Sequence, residues 1–517
     1  MNSRDPLTVA LDIGTGSVRA HLMDCSGGIV KTAGRPVQVL VEADGRAEVD
    51  PETIWKSVCQ CVPEILAGTL TSRIAAVGLA SALGYLLLDG KGHPITPALL
   101  WMDRRAPAEA AYLASRIDEN RLYQITGRRL DPEIFLAKLL WIRRNEPEKF
   151  SKASCFLGIK DDLIRRLTGT IGSDPTHASY SMLYDVVRRK WSEEILKVAG
   201  IARTFLPELR RADEIAGRIS QEGAEATGLP QGIPVLTGAS DGTVASLAAG
   251  IAEGGTAVNV TGTSDVLMIA ADRPLLDSGL RTLLNPHPIS EGWMVGGVMG
   301  TTGGALKWFV EKFCPDLTGP DRYRILDQEA GRAGTGAHGL IGLTGLSGER
   351  APLWNPAARG VLFGLDLRHG RGEVARAILE SVALMIREMV EVLQGMGVGV
   401  KRLQVVGGGA VSNLWDQIRA DATGLSVARP ELTEGTATGI ALLTGLGMGW
   451  YADLAEAARR IAPVERVFEP NPLNRAFYDH LAGLRRSLYE GIRGPFQSLE
   501  EFRIRTQERE TENRDLK

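Results

Sequence analysis

One carboxylate, Asp241, stands between a β-like run at residues 234–237 and an apolar, helix-like run at residues 243–251. A strand-to-helix junction suits a general base, because the strand fixes the side chain while the turn leaves it open to a ligand. A few residues on, Thr261, Gly262, Thr263 and Ser264 make a turn of small hydroxylated residues between β-like runs at 256–260 and 266–270. Backbone N–H groups and short hydroxyls converge on phosphate oxygens at such a turn without side-chain obstruction. A similar turn lies near the start: Asp12, Ile13, Gly14, Thr15, Gly16 and Ser17, between a buried run at 7–11 and a returning run at 18–23. Two phosphate-type hairpins, GTGS at 14–17 and TGTS at 261–264, predict a duplicated domain with nucleotide phosphates gripped between the copies.

The elements that must hold these residues alternate between strand and helix, which argues an α/β fold. Residues 48–66 read as a helix with Pro51 near its start, 74–79 and 85–88 as strands around Ser81, Ala82, Leu83 and Gly84, and 374–393 as a long amphipathic helix. Residues 403–406 read as a strand running into Gly407, Gly408 and Gly409, with a helix beginning near Ser412 and Asn413. Three glycines let the backbone lie against a flat ring, or make a plain strand-to-helix turn. Residues 101–105, WMDRR, read as a helix opening; Trp101, Asp103 and the arginines line a polyol pocket, or else cap a helix and face water. Asp161 and Asp162 read as helix-start acids rather than a metal site. Residues 173–184 read as a loop entering the interior, and 206–233 as a connecting stretch with little periodicity. Glu349 and Arg350 read equally as a salt-bridge network or as chemistry. His21, His93 and His177 read as surface or structural histidines.

With 517 residues the chain exceeds what one core serves, so two domains of roughly 250 residues are expected. Composition is ordinary for a globular protein, 44% apolar and 23% charged with a formal net charge of −3. There is no broad basic field for nucleic acid and no run of about 18 apolar residues to span a bilayer. Five scattered cysteines lack zinc-ligand spacing, and Cys59 and Cys61 fall on different faces of one helix. The opening MNSRDP lacks the layout of a signal peptide, and a reducing cytoplasm fits.

Taken in order, these segments resemble the FGGY family of carbohydrate kinases from about residue 7 to residue 457. The motif Gly360, Val361, Leu362, Phe363, Gly364, Leu365, followed after seven residues by EVARAILE at 373–380, looks like its C-terminal signature. KLLWI at 138–142 resembles its other signature, and GERAPLW at 348–354 its Gly-Glu-Arg-x-Pro-x-Trp segment. The resemblance implies a duplicated actin-like, ribonuclease H-type fold with an ATP and sugar cleft between the domains. The expected divisions are 1–238 (sugar side and first phosphate loop), 239–497 (nucleotide side) and a charged tail at 498–517.

Carried over residue by residue, the resemblance makes Asp241 the catalytic base and Asp12 the Mg²⁺ holder, directly or through water. Gly14, Thr15, Gly16, Ser17 and Arg19 fall at the first phosphate loop, and Gly262 and Thr263 at the second. Gly303 is a further nucleotide-side glycine, and Gly408, Gly409 and Asn413 border the adenine. Trp101 and Asp103 border the sugar, with Ser81, Ala82, Leu83, Gly84, Glu133 and Gly242 as further sugar-side positions. The activity implied is ATP- and Mg²⁺-dependent phosphorylation of a ketose such as xylulose or a related pentulose or hexulose. Kinases of another polyol or aldonate (gluconate, glycerol, erythritol) and a non-catalytic nucleotide-binding regulator are the alternatives; homodimers are common in the family.

Three departures lie on the sugar side. Ser81-Ala82-Leu83-Gly84 stands where xylulokinases carry Gln-Met-His before the glycine, so an imidazole is lost. Gly242 follows the base where relatives carry Asn or Gln. Glu133 falls where glycerol kinases hold Tyr, and would repel an aldonate if it faced the pocket.

Overall fold

The computed structural model describes residues 5–131, 133–251, 254–431 and 434–515, with side chains as far as residue 506. Residues 1–4 and the last two residues of the charged tail therefore lie outside the described residues. The chain forms two compact units, one of residues 1–254, 270–295 and 431–463, the other of 255–269, 296–430 and 464–517.

In the first unit, strand Leu7–Ile13 is buried at every position, the continuous apolar pattern of a strand covered on both faces. It pairs antiparallel with Ser17–Asp24 and parallel with Ile74–Ser81. Pro234–Leu236 and Ala239–Ser240 extend the parallel side on Ile74–Ser81, and Ile215–Arg218 closes it antiparallel. The second unit repeats this plan. Thr256–Thr261 pairs antiparallel with Asp265–Ala271 and parallel with Arg402–Gly407, which pairs parallel with Ser426–Pro430. Val464–Phe468 closes that side antiparallel. The same succession of pairings in both units is the duplication that the two hairpins predict.

Helices cover the sheets where their apolar faces demand it. Pro51–Leu66 is capped by Asp50, whose side chain accepts from Glu52 N, and buries Ile54, Val58, Val62 and Ile65. Helix Gly435–Gly447 crosses Asp241–Ala248 at Gly439, where a Cβ would run into the Val244 carbonyl. In the second unit Arg371–Gly395 buries most of its length. Among the described residues no helix is long and apolar enough to cross a membrane.

Three local expectations change. Residues 101–105 form a turn, and the helix opens only at Pro107, because Asp103 spends its carboxylate on the Ala47 N–H and on Arg105 instead of on a helix start. Residues 206–233 contain strand Ile215–Arg218 and helix Gln221–Thr227, the latter capped by Ser220 and ended by Gly228 in the left-handed region. Residues 173–184 do enter the interior, but 175–180 are helical.

Candidate active site

The first unit gathers its chemistry at the C-terminal ends of adjacent parallel strands. Asp12 and Ile13 end one strand, with Ile13 in register with Ser81; Ser81 ends the next, in register with Ser240; Asp241 follows Ser240 directly. Open parallel sheets bind ligands at this edge, where side chains leave the sheet and helices begin. Asp241 is the first residue of helix Asp241–Ala248, and its Oδ1 accepts from the Gly242 N–H at 2.6 Å. Burial raises its carboxyl above the usual carboxylate range, opposed by that N–H and by His177.

Asp12 and Arg19 face each other across the hairpin, which sets Arg19 Nη2 3.2 Å from Asp12 Oδ2. Arg19 Nη1 also reaches Glu434 Oε2 at 3.0 Å. Burial pushes the Asp12 carboxyl up to about 6, with Arg19 opposing and Asp241 and Glu434 adding to the rise. The loop of Gly14, Thr15, Gly16 and Ser17 closes with Gly14 N–H donating to Ser17 O at 2.9 Å, and nothing crowds Gly16. Trp101 Nε1 donates to Thr15 Oγ1 at 3.3 Å, so the indole lies beside the loop. Its turn is held from behind by the buried Lys138, which donates to the Leu100 and Trp101 carbonyls. Asp103 is sealed, bound to Arg105 and to the Ala47 N–H. Ser81 and Ala82 are also buried, whereas Gly242 is exposed with open space around it. Glu133 is tied to Arg104 at 3.0 Å, so its charge does not stand alone.

In the second unit the turn of Gly262, Thr263 and Ser264 is exposed. Gly303 begins helix Gly303–Phe313 against it, and a Cβ there would run into the Gly262 carbonyl. Thr302 N and Gly304 N both donate to Thr263 O, at 3.1 and 3.0 Å. Below the turn lies a buried polar brace: Asp265 accepts from Thr302 Oγ1 at 2.6 Å and from Asn259 Nδ2 at 3.1 Å. Arg419 binds Asp416 Oδ1 at 2.8 Å and Thr261 Oγ1 at 3.3 Å. Gly408 is exposed with nothing within 4 Å of where a Cβ would stand, and Gly409 is wedged between Thr261 and Trp415. Asn413 opens its helix and accepts from Arg429 Nη2 at 2.7 Å.

Thus Asp12, the first loop, Arg19, Trp101, Ser81 and Asp241 lie at one edge of the first unit, and Gly262, Thr263 and Gly303 form one turn assembly in the second. Glu434, Asp265, Arg419 and Asp174 are not among the residues that the sequence singles out, and His177 reads there as a surface or structural histidine. Asp265 adjoins the TGTS turn and was visible there; Glu434 carries no local signal, standing 415 residues from its partner Arg19. Among the described residues no three His, Cys, Asp or Glu side chains gather as a metal site.

Residues 7–248 match the N-terminal domain, and 257–448 the C-terminal domain, of the FGGY family of carbohydrate kinases. The xylulose kinase of Escherichia coli is 30% identical over 486 residues, 94% of this chain and 99% of its own. An autoinducer-2 kinase of Salmonella typhimurium is also 30% identical, over 502 residues and 94% of each chain. The crystal structure of xylulose kinase from Rhodospirillum rubrum, 29% identical, superposes with a TM-score of 0.89 over 95% of this chain and all of that one.

Proposed function

We propose, for a chain that belongs to the FGGY family of carbohydrate kinases and is thus an ATP-using phosphotransferase acting on sugar hydroxyls, that the acceptor is a ketose and Asp241 the base. Xylulose or a related pentulose or hexulose is the acceptor class. The observation that carries this reading is the strand-end row of Asp12, Ser81 and Asp241. It sets a carboxylate on a helix start beside a loop built for phosphate.

Phosphoryl transfer is largely positioning and charge neutralisation, with a carboxylate to orient the attacking hydroxyl and receive its proton late. Asp241 does this, since burial has raised its proton affinity toward that of a useful acceptor. The backbone of Gly14 to Gly16 and the hydroxyls of Thr15 and Ser17 hold phosphate oxygens, as do Gly262 and Thr263; Gly408, Gly409 and Asn413 border the adenine. Trp101 offers its face to the sugar, and Asp103 keeps the Trp101 turn in place.

Mg²⁺ fits Asp12. A buried carboxyl raised to about 6, with Arg19 its main compensating charge, is short of positive charge, and Mg²⁺ needs only one or two carboxylates besides phosphate oxygens and water. Bound there, it would neutralise charge on the transferring phosphoryl group.

The test is acceptor-dependent ADP release across ketopentoses, ketohexoses, polyols, aldonates and the acceptor of the autoinducer-2 kinases. A ketose responding best supports the assignment. An aldonate or polyol responding best replaces the ketose while keeping the kinase.

A further inference from the structure

A buried chain of polar groups, none of them assigned to acceptor, phosphate or adenine except Ser81, adjoins the strand end that carries Asp241. Lys160, Asp161, Asp174, His177 and Ser81 are fully or almost fully buried. Lys160 Nζ donates to the Thr237 carbonyl at 2.7 Å, pairs with Asp161 and lies 3.4 Å from Asp174 Oδ1. Asp161 Oδ2 accepts from Ser173 Oγ at 2.6 Å. Asp174 Oδ1 meets His177 Nδ1 at 2.9 Å, and His177 Nε2 meets Ser81 Oγ at 3.3 Å. The Tyr85 hydroxyl donates to the His177 carbonyl, and Gly158 leaves room beside the ring, where a Cβ would stand 3.3 Å from His177 Cδ2.

This chain meets the strand end just before the base at two points. Ser81 is the register partner of Ser240, the residue before Asp241. Thr176, beside His177 on the same short helix, accepts from the Ser240 N–H at 3.5 Å. Charged partners are costly to bury, so a fully satisfied row of them here needs a reason. Burial opposes ionisation of Asp174, but Lys160 and His177 together hold it well below the usual carboxylate range. An ionised Asp174 accepts the Nδ1 proton and thereby points Nε2 at Ser81. His177 thus brings an imidazole to the start of the 81–84 loop from another part of the chain.

We propose that His177, fixed by Asp174 and acting through Ser81, is a positioning residue that holds the strand end carrying Asp241, and with it the Asp241 carboxylate, in place. This rests on Asp241 being the base. The charged groups that act on that carboxylate are Asp12 and His177; Arg19 and Glu434 stand beyond Asp12, and Asp174, Lys160 and Asp161 beyond His177.

The test compares His177→Ala, His177→Gln, Ser81→Ala and the double variant His177→Ala with Ser81→Ala. His177→Ala should lower kcat about tenfold or more while KM for ATP stays within about twofold. His177→Gln, whose amide reaches the Nε2 position, should restore most of the loss. Ser81→Ala should lose about as much as His177→Ala, and the double variant no more than the worse single one. Unchanged kcat in folded His177→Ala, a loss additive with Ser81→Ala, or no rescue by Gln overturns the proposal. A readout independent of any acceptor is a carboxyl ¹³C titration of Asp241, whose midpoint should rise in His177→Ala; an unmoved midpoint also overturns it. If Asp241→Asn retains turnover while that midpoint still rises, the base assignment has failed and the coupling to His177 stands.

Discussion

Asp12 is the residue whose protonation governs nucleotide binding in this account. With its carboxyl held at about 6 by burial, it carries a proton in part of the population at mildly acidic pH. If Asp12 holds Mg²⁺ as proposed, the proton competes with it for the same oxygens, so MgATP affinity should fall as pH drops through about 6. Measuring Kd for ATP with and without Mg²⁺ across that range checks it: the Mg²⁺-dependent part should shrink on the acid side, and Asp12→Asn should remove it at every pH. A Mg²⁺ effect that ignores both changes would take the metal away from Asp12. At the same scale, type and spacing singled out Asp12 and Asp241, because each adjoins a turn whose form is local, while Arg19 came only through the family resemblance. Their partners were not singled out: Glu434 and His177 meet the site only through folding. A histidine in SDPTHAS carries no sign that Asp174 will orient it toward Ser81, 96 residues earlier.

Among the elements, the glycine turns carry the sharpest expectations. Gly408 has open space where a side chain would go, so Gly408→Leu folds and projects its side chain over the expected adenine position. ATP affinity should drop about tenfold or more with acceptor KM little changed; a loss confined to the acceptor would reverse the assigned roles. Gly303→Ala is a different case, since its Cβ meets the Gly262 carbonyl and must displace either helix Gly303–Phe313 or the turn. That variant should lose both ATP affinity and thermal stability. Strand Leu7–Ile13 and helix Arg371–Gly395 followed from periodicity, their apolar patterns being long enough to read. The misses include strand Ile29–Pro36 and helices Arg322–Arg332, Gly435–Gly447 and Pro472–Asp515, besides several short elements. Ile215–Arg218 has four residues with one buried, too few for a period, although Ser220 and Gly228 mark both ends of the following helix. The WMDRR turn was read as a helix start because nothing local shows that Asp103 is committed to Ala47, 56 residues back.

At the scale of the whole molecule, the repeated strand plan in the two units accords with two family domains matching in succession, over residues 7–248 and 257–448. A global consequence follows from Glu349, in the GERAPLW segment. Burial pushes its carboxyl up to about 7, with Arg485 opposing and Glu388 adding, and its Oε2 has no hydrogen-bond partner. Because the folded state holds this proton more tightly than the unfolded chain, the group's stabilising contribution is complete below about pH 4.5 and is lost as pH rises to about 7, on the order of 3 kcal/mol. Urea midpoints across that window should therefore decline less in Glu349→Gln than in the native chain; parallel curves would show Glu349 titrating alike in the folded and unfolded chain. The central claim is that this molecule is a working sugar kinase with Asp241 as its base. It is tested most directly by acceptor-dependent ADP release, measured beside ATP affinity, in the native protein and in Asp241→Asn. The account predicts a loss of about a hundred- to ten-thousandfold in turnover with ATP affinity within about twofold. Turnover that survives in Asp241→Asn would contradict it.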